Sequence, residues 1–469
     1  MEGYNNHIDE SFRDHISTVD SVGKRVWVYP KKPSGFYTNA RNYVSYIFLL
    51  LFIAAPFIRI EGDPLILLNV LERKFILFGI IFWPQDFHLF LLAMISFIVF
   101  IIIFTVIYGR VFCGWACPQT IFMEMVFRKI EYWIEGDYRN QIALNKAPLS
   151  WEKFFKKLAK HLIFLSFSFF ISNLFLTYII GTDEWWQIVS DNPLNHLGGF
   201  SSILIFTFVF YGVYARFREQ ICTTICPYGR LQGVLLDKNS INVAYDYIRG
   251  ESRAHLKRGE DREAAGKGDC IDCHQCVHVC PTGIDIRNGV QMECINCTAC
   301  IDECDSIMDK IGKPKGLIRY ASEEGIRNKT GFSWNKRVIG YTIVLFVLIA
   351  SFAVLLITRP DVETTILRTP GMLYQDQGNN KYSNLYNFKI INKTRNTLPI
   401  TFKIINHVGE IRLVGHLPTI VPNAISEGAL FIILDQKDIH SIKTPIVIGV
   451  YEGRNLIDEV STSFVGPVL

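Results

Sequence analysis

The chain has 469 residues, of which 49% are hydrophobic and 20% are charged, and its net charge is +4. This length leaves room for several domains, and the small net charge, without a basic patch interleaved with aromatic residues, excludes a nucleic-acid-binding protein. The hydrophobic residues form long blocks between charged stretches, a pattern that is typical of membrane proteins and that a soluble fold does not require.

The first 42 residues are polar and contain no short apolar core followed by a small-residue cleavage site. We therefore expect no cleavable signal peptide. Residues 1–42 are interpreted as a cytoplasmic segment, and the first apolar block is predicted to act as the insertion signal.

Five apolar blocks are long enough, or nearly so, to cross a bilayer, which takes about 20 residues of helix. They are residues 43–60, 87–108, 161–180, 197–215 and 338–357. A shorter apolar piece, residues 75–83, ends at Pro84 and is interpreted as a re-entrant or interfacial segment. The alternative for all of these blocks, buried core helices of a soluble protein, fits the charge-free second block poorly.

Lys and Arg residues indicate the orientation of the chain. They are frequent before the first block, between the second and third, and between the fourth and fifth, whereas the loop 181–196 has none. Because positively charged loops stay in the cytoplasm, we predict a cytoplasmic N-terminus and a periplasmic C-terminal domain. The loop between the first two blocks, with Arg59, Arg73 and Lys74, is less decisive.

Two C-x₃-C-P motifs follow the second and fourth blocks, in GRVFCGWACPQT and REQICTTICPYGR. Their cysteines are Cys113, Cys117, Cys222 and Cys226. Proline is a favourable first residue of a helix, so the second cysteine of each motif is predicted at a helix N-terminus, where the dipole favours a thiolate. The matching positions suggest an internal duplication that brings the four cysteines together. Such a site suits Cu(I) or another iron–sulfur cluster; the alternative is four buried, inert cysteines.

Between these motifs, the segment 119–135 alternates apolar clusters with Arg128, Lys129 and Glu131 at a roughly helical period. We interpret it as an interfacial helix at the cytoplasmic surface that acts as a structural anchor.

The other eight cysteines form two C-x₂-C-x₂-C-x₃-C quartets, CIDCHQCVHVC and CINCTACIDEC, within a predicted cytoplasmic domain at 236–337. This is the spacing of bacterial ferredoxins with two 4Fe-4S clusters, in which the fourth cysteine of each quartet binds the other cluster. Cluster I is therefore assigned to Cys270, Cys273, Cys276 and Cys304. Cluster II is assigned to Cys294, Cys297, Cys300 and Cys280.

Other interpretations of the twelve cysteines are weaker. All of them lie at the predicted cytoplasmic face, whereas disulfides belong to oxidising compartments. Two closely spaced quartets disfavour zinc, and the C-x-x-C-H haem motif ending at His274 uses cysteines that already belong to the first quartet. Asp305 replaces the proline that usually follows the last cysteine, but this proline shapes a turn and is not an iron ligand.

After Thr358-Arg359-Pro360 the sequence changes to short β-prone runs separated by turn residues. The runs are 385–391, 399–405, 429–434 and 445–451. They predict a β-sandwich of about 100 residues, interpreted as a docking module outside the membrane. The predicted fold is thus a membrane α-helical protein of about five transmembrane helices, with an inserted two-cluster bacterial ferredoxin-like domain and a C-terminal all-β immunoglobulin-like domain. Its predicted segments are 1–42, 43–235, 236–337, 338–357 and 358–469.

The chain resembles the FixG/RdxA/CcoG family, the accessory proteins of cbb-type cytochrome c oxidase. The resemblance covers nearly the whole length and includes RVWVYPKKPSGFYTNAR, GRVFCGWACPQT, ICPYGR, both quartets and CIDECDSIMDKIGKPKGLIRY. It implies a bacterial inner-membrane protein that reduces Cu(II) to Cu(I) for delivery to the oxidase, with the clusters supplying the electrons.

The resemblance also implies, as partners, the oxidase assembly machinery or copper chaperones, together with a cytoplasmic electron donor. The four C-x₃-C-P cysteines are then the candidates for copper handling, as the catalytic residues of a cupric reductase. Two alternatives stay open. One is a quinol-oxidising membrane ferredoxin that feeds a periplasmic reductase, and the other is a non-redox assembly scaffold in which the clusters are structural.

Overall fold

The computed structural model of the chain divides into two compact units, Met1–Phe352 and Ala353–Leu469. It describes residues 17–20, 22–60, 62–70, 74–257, 260–329, 336–394, 396–415 and 419–467.

The α-helices in these ranges are numbered in chain order. They are α1 (Phe36–Ala54), α2 (Phe87–Tyr108), α3 (Val111–Trp115), α4 (Pro118–Thr120), α5 (Arg128–Ile134), α6 (Tyr138–Lys146), α7 (Trp151–Ile180), α8 (Thr182–Ser190), α9 (Leu197–Gly212), α10 (Pro227–Leu235), α11 (Tyr247–Gly250), α12 (Gln275–His278), α13 (Ala299–Lys310), α14 (Glu323–Asn328) and α15 (Lys336–Ile357). The π-helical turns are Ile121–Phe127, Val213–Phe217 and Ile221–Ile225.

The β-strands are numbered in the same way. They are β1 (Arg59–Ile60), β2 (Asp63–Pro64), β3 (Ile66–Asn69), β4 (Lys74–Leu77), β5 (Ile80–Phe82), β6 (Asn242–Tyr245), β7 (Ile318–Ala321), β8 (Val362–Arg368), β9 (Gln375–Gly378), β10 (Lys381–Asn392), β11 (Leu398–Ile404), β12 (Gly409–Val414), β13 (Thr419–Ile420), β14 (Ile425–Asp435), β15 (Lys443–Glu452) and β16 (Asn455–Val465).

Within the described ranges, four helical segments are long and apolar enough to cross a membrane. They are Phe87–Tyr108, Trp151–Ile180, Leu194–Phe217 and Lys336–Ile357. All four correspond to predicted blocks, because an uninterrupted run of apolar residues is the strongest signal in such a sequence. The predicted number of five spans stays a prediction.

The first predicted block, 43–60, differs from the helix that contains it. Helix α1 begins at Phe36 and ends at Ala54, and the chain then turns into short strands. Strands β3, β4 and β5 form an antiparallel sheet, so the apolar piece 75–83 is part of a β-meander. Strand pairing satisfies the backbone hydrogen bonds of an apolar piece that is too short to span a bilayer.

Two of the three charged residues that the sequence analysis named in the helical segment after α4 are buried, whereas an interfacial helix would expose them. The interfacial position of the segment stays a prediction. Arg128 is 1% exposed and Glu131 2% exposed. They lie in a set of side chains that we name the buried ionic network: Arg25, Glu124, Arg128, Glu131, Glu135, Lys157, Lys160, Arg218 and Glu219. Periodicity alone cannot distinguish this arrangement from a solvated face, because the partners come from distant parts of the chain.

The N-terminal segment before α1 connects the membrane helices to the cysteine-containing loops. Arg25 Nη2 lies 2.9 Å from Glu219 Oε1, and Lys31 pairs with Glu303 of α13. The backbone N–H of Lys31 also donates to His278 O at 2.7 Å. This segment therefore contacts the chain after α9, through Glu219, and the loops with the two quartets, through His278 and Glu303.

The loops with the two quartets are closed by the antiparallel pair of β6 and β7, in register from Asn242↔Ala321 to Tyr245↔Ile318. The apolar core beneath them includes Val243, Met308 and Leu317, all about 1% exposed. Helix α12 contains Cys276, the third cysteine of the first quartet, and α13 contains Cys300 and Cys304, the last two of the second.

The second unit contains two antiparallel sheets, as the sequence predicts. Their strand orders are β12-β14-β10-β8, with β9 on β10, and β13-β11-β15-β16. All four predicted β-prone runs lie in or largely within strands, β10, β11, β14 and β15. Tyr386, Ile390, Leu430, Ile448 and Phe464 are fully buried between the sheets, where alternate residues of each strand point inward.

Candidate metal centres

The four cysteines assigned to cluster I line one small cavity. These are Cys270, Cys273, Cys276 and Cys304. Tyr245, Met308 and Leu317 form part of the apolar wall. The fourth cysteine comes from the second quartet, on α13, as the ferredoxin spacing predicts.

A second small cavity is lined by the four cysteines assigned to cluster II. These are Cys280, Cys294, Cys297 and Cys300. Cys276 lines both cavities, so the two cavities are neighbours. The structure brings together the four cysteines assigned to each cluster, while iron binding by these residues stays a prediction.

The two loops share a backbone feature that the sequence analysis did not identify. Asp272 and His274 have φ of 53° and 55°, and the equivalent Asn296 and Thr298 have φ of 54° and 64°. These left-handed residues turn the chain after each of the first two cysteines, which lets one short loop surround a corner of a cluster. Asp and Asn at the first position are the available signal, because they tolerate this conformation better than most residues.

The chemistry of the cavities fits a bound iron–sulfur cluster. Burial raises the pKa of Cys276 and of Cys294 to about 12, and that of Cys297 to about 11. Thiolates in such cavities need a cation to compensate their charge, and iron coordinated by four cysteines supplies it. When bound, the clusters provide one-electron redox chemistry.

The two C-x₃-C-P motifs adopt the same backbone conformation. In each, the second cysteine donates its N–H to the residue before the first cysteine, Cys117 to Phe112 O at 2.9 Å and Cys226 to Ile221 O at 2.7 Å. Both second cysteines are extended N-cap residues with proline at the first helical position, as predicted.

The similarity extends upstream of the cysteines. Gly109 has φ 56° and ψ −135°, and Arg218 has φ 55° and ψ −124°. Each lies four residues before the first cysteine of its motif and ends an apolar segment. The predicted internal duplication is therefore visible in the backbone, and Arg218 adopts a conformation that is more usual for glycine.

The two motifs meet in space. The Cys113 thiol donates to Gln232 Oε1 at 2.9 Å, and the Phe112 and Tyr228 rings pack edge to face with centroids 5.8 Å apart. Cys113 and Cys222 belong to one apolar cluster. We name the four cysteines of these motifs the four-cysteine site.

The four-cysteine site adjoins the loop of cluster II. Cys113 packs in the same apolar cluster as Ile295 and Cys297. A Cβ added to Gly114 would lie 2.5 Å from Ile295 O, so the two backbones touch and only glycine fits. Arg41, 3% exposed, joins them by donating to Gly114 O at 3.0 Å and Cys297 O at 2.8 Å.

Burial raises the pKa of Cys113 to about 11 and that of Cys222 to about 12, and in both cases Arg110 partly opposes the rise. Arg110 is 2% exposed, donates to Met292 O, and has an Nε without a hydrogen-bond partner among the described residues. The sequence analysis singled out neither Arg41 nor Arg110 as a site residue. A buried arginine beside a cysteine motif has no local sequence signature.

Comparison with known proteins agrees with these centres. Residues 217–323 match the family model of a 4Fe-4S dicluster domain, and residues 90–139 match that of a 4Fe-4S binding domain. Residues 352–467 match the model described as an IG-like fold at the C-terminal of FixG. These matches and the apolar helices define the class: an iron–sulfur electron-transfer protein associated with the membrane.

Protein RdxB of Cereibacter sphaeroides is 34% identical over 426 residues, which cover 86% of this chain and 87% of RdxB. Protein RdxA of the same organism is 35% identical, over 78% of this chain and 80% of RdxA. Nitrogen fixation protein FixG of Rhizobium meliloti is 37% identical, over 64% of this chain and 58% of FixG. The chain belongs to the FixG/RdxA family.

Among solved structures, the crystal structure of a FixG-related protein from Vibrio parahaemolyticus matches at 20% identity with a TM-score of 0.19. The match covers 22% of this chain and 95% of that one.

Proposed function

We propose that the protein transfers single electrons from a cytoplasmic donor to the four-cysteine site and there reduces Cu(II) to Cu(I) for the assembly of a cbb-type cytochrome c oxidase. The observation that carries this proposal is that Cys113 shares one apolar cluster with Ile295 and Cys297 of the cluster II loop, while the backbone of the next residue, Gly114, touches Ile295 O. The cluster II loop, as electron donor, and the four-cysteine site, as acceptor, are close enough for electron transfer because their loops are in contact.

The residues of the chain have separate roles in this proposal. The two quartets hold the clusters, and the apolar walls of their cavities exclude water. Gly114 allows the close approach of the two loops, and Arg41 fixes their distance through two carbonyl oxygens. The four cysteines present the electron to copper, which is the substrate.

The reaction is a one-electron exchange: Cu(II) gains one electron and becomes Cu(I), while the reduced protein loses one. A cytoplasmic one-electron donor restores the reduced protein. The immunoglobulin-like unit lies in the periplasm in this proposal and docks the assembly partners, and the domain boundaries are those predicted from the sequence.

The double variant Cys117→Ser/Cys226→Ser tests the proposal in purified protein reduced anaerobically with dithionite and then freed of excess reductant. Cu(I) is measured with a Cu(I)-specific chelator, and the clusters by EPR. We expect Cu(II) reduction to fall at least about tenfold while the EPR signals of the two ferredoxin-type clusters persist. The matched control, Thr224→Ser, lies inside the second motif and should reduce Cu(II) as the wild type does.

Unchanged copper reduction in the double variant would contradict the proposal. Reduction of the clusters by a quinol analogue, together with indifference to copper, would support the quinol-oxidising alternative instead.

A further inference from the structure

We infer that Cys113, Cys117, Cys222 and Cys226 together bind a third cubane-type iron–sulfur cluster. The role of this cluster, to pass the electron to copper, rests on the proposed function. The presence of the cluster does not. The four-cysteine site is thus a cofactor site rather than a copper-thiolate site.

The number and origin of the ligands support a shared cluster. A cubane cluster is held by four cysteine thiolates, and each repeat supplies two. The repeats share the left-handed residue four positions before the first cysteine and the extended N-cap geometry of the second cysteine, so their cysteine pairs are presented in similar ways. The packing of Cys113 beside Cys222 and Tyr228 brings the two pairs to one place.

The surroundings supply what a negatively charged cluster needs. Cys226 immediately precedes helix α10, which begins with Pro227, and the dipole at a helix N-terminus favours negative charge. The buried guanidinium of Arg110 reaches the second motif, because its Nη2 would lie 2.8 Å from a Cβ added to Gly229. The Arg110 Nε has no hydrogen-bond partner among the described residues. An unpaired donor in a buried site needs an acceptor, and a thiolate or a cluster sulfide provides one.

The family matches divide the twelve cysteines in a way that agrees with three clusters. The 4Fe-4S binding domain at 90–139 contains Cys113 and Cys117. The dicluster domain at 217–323 contains ten cysteines, two more than two clusters require. The surplus pair is Cys222 and Cys226, which the structure places with the pair from the other domain.

Iron and acid-labile sulfide are measured in the detergent-purified full chain after anaerobic reconstitution. We expect about twelve irons and twelve sulfides per chain, four for each cubane. The variant with all four cysteines changed to serine should lose one third of both and keep the EPR signals of the other two clusters. Thr224→Ser should keep all of them.

Eight irons in the reconstituted wild type would overturn the inference, and this result does not depend on whether the serine variant folds. An iron content that the serine variant does not lower would also overturn it. Twelve irons without Cu(II) reduction would leave the inference intact and refute the proposed function. Eight irons with Cu(II) reduction that depends on the four cysteines would refute the inference and leave the proposed function intact.

Discussion

Asp302 caps helix α1 through Thr38, although the two residues are 264 positions apart in the chain. One carboxylate oxygen accepts the backbone N–H and the hydroxyl of Thr38, both at 2.7 Å, and the other accepts the N–H of Tyr37 at 3.0 Å. Gly35 makes this approach possible, because a Cβ there would lie 2.4 Å from Asp302 Cγ. A side chain within the second quartet motif therefore caps the N-terminus of helix α1.

Replacing Asp302 with alanine should lower the free energy of unfolding by about 1–3 kcal/mol, because buried N–H donors at the helix N-terminus lose their acceptor. Thermal unfolding in detergent measures the loss. Asp309→Ala changes an exposed residue of the same helix and should have little effect. Equal stability of Asp302→Ala and wild type would refute the capping role.

Gly114→Ala should separate the four-cysteine site from the cluster II loop, because the new Cβ meets backbone oxygens that cannot rotate away. We expect a stability loss of about 1–3 kcal/mol from overpacking and slower Cu(II) reduction. Gly212→Ala is the matched control, since nothing lies within 4 Å of a Cβ at that position. Identical reduction rates in the two variants would show that the close approach is not needed.

Arg128→Met should destabilise the first unit by about 3–5 kcal/mol, because it removes the cation that pairs with Glu124 and one of the three that face the buried carboxylate of Glu219. Arg128 Nε lies 3.3 Å from Glu124 Oε1, and Arg128 Nη2 lies 3.8 Å from Glu219 Oε2. Denaturant or thermal unfolding followed by fluorescence measures the change. Arg412→Met removes an exposed pair with Glu410 and should be nearly neutral. A similarly small effect at Arg128 would refute its structural role.

Because of Glu135, the free energy of unfolding should decrease at acidic pH. Burial raises its pKa, but Lys160 and Lys157, each with Nζ at 2.9 Å, outweigh burial and place the pKa below the ordinary 4.5. A depressed folded-state pKa contributes stability that is complete above pH 4.5 and is lost as the pH falls through the folded-state value. The stability difference between wild type and Glu135→Gln should therefore be constant near neutral pH and shrink below pH 4.5. A difference that grows on acidification would contradict this assignment.

The unit Ala353–Leu469 should fold when it is expressed without the rest of the chain, because its core lies between its own two sheets. Circular dichroism and thermal unfolding measure this. Within it, Asn384 exchanges two hydrogen bonds with the backbone of Val465, at 2.8 and 2.9 Å. Asn384→Ala should destabilise the isolated unit by about 2–4 kcal/mol, whereas Asn455→Ala, which changes an exposed residue of β16, should not. An unfolded isolated unit would show that it depends on the first unit.

The sequence predicted those features that depend on local pattern. Cysteine spacing indicated which residues share each cavity, and alternating residues indicated strands such as β10 and β14. It did not predict the burial of Arg128 or the contacts of Arg41 and Asp302, because their partners lie far away in the chain. Helix α1 was placed too late for the same reason: its polar first turns are stabilised by the ferredoxin-type loop and carry no apolar signal.

The two repeats share a backbone but differ in the third residue before the first cysteine. In the first repeat this residue is Arg110, which donates to the backbone of the cluster II loop. In the second it is Glu219, whose side chain belongs to the buried ionic network. The backbone carbonyl of Glu219 accepts the N–H of Cys222 at 3.1 Å. An electron on the four-cysteine site adds a negative charge next to that network in a medium of low dielectric constant. Arg25, Arg128 and Arg218, the cations that face Glu219, would partly compensate that added charge. One repeat therefore places the site beside the cluster II loop, and the other places it beside fixed charges.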